Sequence, residues 1–86
     1  MVDEDSFNRE LGKRLRAART AKGLFGPQVG KSLHRGRQAV SDLERGKCPV
    51  NVFRLFQLAS LYEVTPEALI SGLGELGEAQ GAGSNV

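Results

Sequence analysis

The chain has a single cysteine, a single histidine, one tyrosine and no tryptophan, and it contains no apolar run near the roughly 18 residues that a membrane span needs. Each scarcity excludes something. Cys48 alone can close no internal disulfide, and together with His34 it falls short of the ligand set of a structural zinc site, so no metal is expected. No acid, base and nucleophile are grouped as catalysis requires, so neither an enzyme nor a cofactor is expected. His34 reads as a surface turn residue and Cys48 as a small connector residue. The acidic start Met1-Val-Asp-Glu-Asp lacks the basic and apolar regions of a secretory signal, which points to a cytoplasmic protein. Eighty-six residues suffice for one compact domain, which buries about 60% of its unfolded surface.

What is present is charge, unevenly distributed. Residues 9–47 hold eleven Lys and Arg against three acids, a net of +8. Residues 48–86 hold Arg54 against four glutamates, a net of −3. One basic half is the distribution of a protein that neutralises phosphates on one face, although a solvated helical surface has the same composition.

Apolar spacing supplies the elements. Phe7, Leu11, Leu15 and Ala18 recur at helical intervals from Ser6 to Lys22, with Ser6 as the expected cap and Gly23 as the stop. Pro27 fits the first position of a short second helix to about Leu33. Arg37 to Arg45 forms a third, with Val40 and Leu43 on one side and Arg37, Gln38, Ser41, Asp42 and Arg45 on the other, and Gly46 ends it. Asn51 caps a fourth, where Val52, Leu55, Phe56, Leu58, Ala59 and Tyr62 make a wide apolar stripe. Phe53 and Phe56 read as core or dimer contacts rather than stacking platforms, because only Arg54 is near them. Thr65-Pro66-Glu67 opens a short fifth helix. The expected organisation is a disordered N-terminus over 1–5, an all-α domain over 6–73 and a flexible glycine-rich tail over 74–86.

Two short helices joined by a tight turn inside a basic half form a candidate helix-turn-helix from Leu24 to Gly46. In its details the stretch from Leu11 to Leu69 resembles the Cro and phage-repressor type of DNA-binding domain, the XRE family. Leu24, Val29, Gly30, Leu33, Val40, Ser41, Leu43, Glu44, Arg45 and Gly46 fall on that family's positions without a gap. The resemblance implies a five-helix, lambda-repressor-like bundle. It also implies that Arg37 and Gln38 read bases, and their chemistry suits guanine and adenine. Ser41 and Asp42 then lie where bases or phosphate are touched, and Arg45 and Lys47 where backbone is held. Arg19 and Glu44 match a structural ion pair.

Three positions depart from the family. Gly26 replaces a phosphate-clamping glutamine, so the clamp is absent or shifted to Gln28 or to bare helix N–H groups. His34 replaces the turn glycine and Arg35 an apolar residue. The expectation is a rearranged turn in which Gly36 takes the left-handed dihedral and an exposed Arg35 adds a phosphate contact. The partners implied are double-stranded DNA and a second copy, a homodimer on a palindromic operator acting as a repressor. Leu69, Ile70, Leu73 and Leu76 offer a dimer seam, or fray among the glycines. As an alternative, the altered turn and the lost glutamine fit a protein-binding module, such as an antitoxin that also binds its toxin, or a restriction–modification controller.

Overall fold

A computed structural model describes residues 3–75, and among them every regular element is helical. The order is α1 (Glu4–Lys22), α2 (Gly26–Ser32), α3 (Arg37–Glu44), α4 (Val52–Tyr62) and α5 (Pro66–Ile70), closed by a single tight turn at Leu73–Glu75. Helix α1 begins earlier than its expected Ser6 cap. The Asp3 carboxylate accepts the Ser6 N–H at 2.9 Å, and the Ser6 side chain together with this N–H holds its pKa below the ordinary value. Glu4 and Asp5 then sit at the positive end of the helix dipole. The disorder expected over 1–5 is therefore corrected for residues 3–5, which cap and start the helix. The expected tail lies outside the described residues except for Gly74 and Glu75.

The remaining boundaries follow local chemistry. Gly23 closes α1 at φ 81°, and Asn51 and Thr65 accept N–H groups of Arg54 and Ala68 at 2.7 and 3.1 Å. The turn between α2 and α3 differs from expectation. His34, not Gly36, adopts the left-handed conformation, at φ 58°, while Gly36 is extended at φ −81°, ψ 171° and serves as N-cap of α3. The reason is the way α2 ends. The His34 N–H donates to Lys31 O at 3.0 Å and the Arg35 N–H to Gly30 O at 2.7 Å, a hydrogen-bond pattern that puts the left-handed residue directly after the helix cap Leu33.

Leu11, Leu15, Val29, Leu33, Val40, Leu55, Leu58, Ala59, Tyr62, Leu69 and Leu73 form one core drawn from all five helices and the closing turn. Two expectations change here. Leu69 and Leu73 are 3% and 1% exposed, packed inside the monomer, and so cannot form a dimer seam. Arg14 explains their placement, since its guanidinium donates to Leu69 O at 3.2 Å and Ser71 O at 2.6 Å and pins α5 onto α1. Of the remaining seam residues Ile70 is exposed, and Leu76 lies outside the described residues. The stripe on α4 is also narrower than expected: Leu55, Leu58, Ala59 and Tyr62 are buried, whereas Val52, Phe53 and Phe56 face outward. No helix among the described residues is long and apolar enough to cross a membrane.

Candidate nucleic-acid interface

Helix α3 presents its first turn to solvent. Gly36 carries no side chain over its start, Arg37 and Gln38 are exposed, and Val40 anchors the opposite side in the core. One turn further on, Ser41 and Asp42 are half-buried. The Gln38 amide donates to Asp42 Oδ1 at 2.9 Å, so the carboxylate fixes the orientation of the amide. Gln38 keeps one N–H and its oxygen, the pair that an adenine edge requires.

Two grooves flank α3 and divide the candidate residues between them. The first lies between α1, the start of α2 and α3, and gathers Arg37, Gln38, Ser41 and Arg45 around Arg16 of α1. Arg16, Arg37 and Arg45 have no ion-pair partner among the described residues, so three cations converge on one concavity. Gly26 lies at its edge with nothing within 4 Å of where a Cβ would stand, which leaves the groove open. The second groove, on the other flank, holds Arg35 and Asp42 with Cys48, Asn51 and Arg54. Lys47 is exposed on the connector and lines neither.

Gln28 behaves differently from its expected role as a phosphate ligand. Its side-chain oxygen accepts the Phe25 N–H at 2.7 Å, folding it back as a cap on α2. Arg16 was the residue overlooked in the sequence. It stands three positions before Arg19 on the same flank of α1, a spacing that places the two side by side.

Behind the exposed turn of α3, Arg19 and Glu44 join α1 to the end of α3. Nε donates to Oε2 at 2.6 Å and Nη2 to Oε1 at 3.1 Å, while Nη1 reaches Leu24 O at 2.9 Å. The side chains are 15% and 10% exposed, and the bonds to Glu44 hold the guanidinium pKa above its ordinary value. Tyr62 packs close by. Burial pushes its phenol up to about 12, with the Glu44 carboxylate adding to the rise and Arg19 opposing it.

That shift makes stability pH-dependent in a definite direction. The unfolded chain releases the phenolic proton near 10, but the folded chain retains it until about 12. Stability is therefore intact below pH 10 and is lost as pH rises through 12, by up to about 1.4 kcal/mol per unit. Urea unfolding between pH 9 and 12 should show a steeper decline for the native chain than for Tyr62→Phe. Parallel curves would contradict the assignment.

These elements define a class: a pair of short helices whose second member offers its free first turn to a DNA groove, braced by a longer helix behind. The chain belongs to the family described as a helix-turn-helix domain, whose sequence pattern it matches over residues 10–71. No curated protein matches the chain.

Proposed function

We propose that the protein is a sequence-specific transcriptional regulator that binds a palindromic operator as a homodimer and represses by occlusion. The observation that carries this reading is the exposed first turn of α3, where Arg37 and an oriented Gln38 stand beside a groove holding two further arginines, Arg16 and Arg45, that have no ion-pair partner among the described residues. Arg37 suits the O6 and N7 of guanine, and Gln38 the edge of adenine. Arg16, Arg45 and Lys47 supply backbone contacts that position the domain without specifying sequence. A single domain of this size reads few base pairs, so two copies one DNA turn apart multiply a modest affinity.

Selection of bound sequences from a random duplex library, followed by titration at several salt concentrations, tests the reading. Arg37→Ala should relax preference at one base position and weaken the selected site by about 1–3 kcal/mol. Lys47→Ala should weaken all duplexes alike and reduce the salt slope by about one. Unchanged base preference in Arg37→Ala would remove Arg37 as the reader. A chain with neither site preference nor salt dependence would not be a DNA regulator.

A further inference from the structure

The outer face of α4 is apolar where a surface helix is ordinarily polar. Val52 and Phe53 are each 71% exposed and Phe56 is 57% exposed, and their spacing puts all three on one side, next to the buried stripe of Leu55, Leu58, Ala59 and Tyr62. At the 150–250 Å² typical of a phenylalanine, they present roughly 350 Å² of contiguous apolar side chain, within the roughly 300–600 Å² of the largest apolar patch on a monomer, which is often functional. The face is also uncharged. Arg54 points to another side of the helix and donates to Gln57 Oε1 at 2.6 Å, and the next outward residue is Ser60.

We infer that this face is the two-fold interface through which two copies of the chain associate, which places the homodimer of the proposed function on α4 rather than on the C-terminal segment. Two features select a second copy as the occupant. A basic chain meeting itself must do so where it carries no like charge, and this face meets that condition while residues 9–47 do not. An acidic or basic partner would find no complementary charge here to pair with. Doubled by symmetry the face reaches about 700 Å², below the ~1,200 Å² of even a small stable interface, so the free pair must be weak. The face begins at the first turn of α4, beside the groove on the far flank of α3 from Arg16 and Arg45, so pairing leaves the cationic groove open.

Sedimentation equilibrium of the full chain tests this, with Phe53→Glu and Phe56→Glu as variants. Both side chains are outward, so melting should be unchanged and serves as the check on folding. The native chain should show concentration-dependent dimerisation toward millimolar concentration, and each variant should remain monomeric. On a duplex carrying the selected palindrome, the native chain should bind as two cooperative copies. The variants should lose about 100-fold or more of that affinity while binding an isolated half-site as the native chain does. Variants that dimerise like the native chain would overturn the inference, as would a native chain that stays monomeric at millimolar concentration. The sedimentation arm needs no DNA, so failure of the interface and failure of the regulatory reading are separable.

Discussion

Glu44→Ala should lower the free energy of unfolding by about 3–5 kcal/mol, a large share of the roughly 4–13 kcal/mol that a domain of this length possesses. The substitution removes both acceptors of a bidentate pair, at 2.6 and 3.1 Å, from a guanidinium only 15% exposed. Arg19 then keeps a single protein acceptor, Leu24 O, for a charge that water barely reaches. The penalty is that of the stranded charge, more than the intrinsic worth of the pair. Two consequences distinguish this account from simple loss of contact. Arg19→Ala together with Glu44→Ala should cost less than the two single changes added, because neither charge is left alone. An apolar pair, Arg19→Met with Glu44→Leu, should recover most of the native stability. Urea unfolding measures all four, and a loss below about 1 kcal/mol for Glu44→Ala would show the pair to be dispensable.

Gly12→Ala should be comparably damaging, against the direction that helix propensity alone dictates. Within α1, alanine is favoured over glycine by about 1 kcal/mol. Gly12, however, lies where α1 crosses the end of α3, and an added Cβ would stand 2.6 Å from Leu43 O and nearer still to Glu44 O. Those are backbone carbonyls at a helix end and cannot swing aside as a long side chain would. The helices must separate, which opens the core around Leu11 and Leu15 and stretches the Arg19–Glu44 pair. An overall loss of about 3 kcal/mol is expected, at the upper end of overpacking effects. Gly26→Ala provides the contrast, since nothing lies within 4 Å of its added methyl, and it should be neutral or stabilising by up to about 1 kcal/mol. Thermal unfolding of the two variants compares them directly. Equal effects would mean that the crossing is looser than its geometry implies.

What could be read from the sequence was what local rules decide. The span of α3, the stops at Gly23 and Gly46, the caps at Asn51 and Thr65 and the entry of Pro66 each depend on a few neighbouring residues. The position of Arg37 and Gln38 on the open side of α3 followed from the same periodicity. Whatever depended on contacts distant in sequence could not be read. Apolar spacing marked Leu69 and Leu73 as one face but could not say that Arg14 draws that face inward instead of leaving it for a partner. The same spacing overestimated the buried stripe of α4, because the neighbours that cover a stripe set its width. Gly12 carried no signal, since close approach of two helices is invisible in either one alone. The turn misled for a different reason. Glycine was assigned the left-handed dihedral by preference, whereas the hydrogen bonds ending α2 assigned it to His34 by position.

The bonds from Arg14 to Leu69 O and Ser71 O also bear on the order in which the domain assembles and comes apart. They span 55 and 57 residues, whereas α2 and α3 adjoin each other along the chain. Bringing such distant segments together costs more loop entropy than pairing neighbours, and α5 has only five residues with which to recover it. The α5 segment is therefore expected to release before the rest of the domain, so its amides should exchange with solvent faster than those of α2 and α3 in native-state hydrogen exchange. Such a release would bare Leu69 and Leu73, which the docked segment keeps at 3% and 1% exposure, while α3 stays packed on α1 and α2.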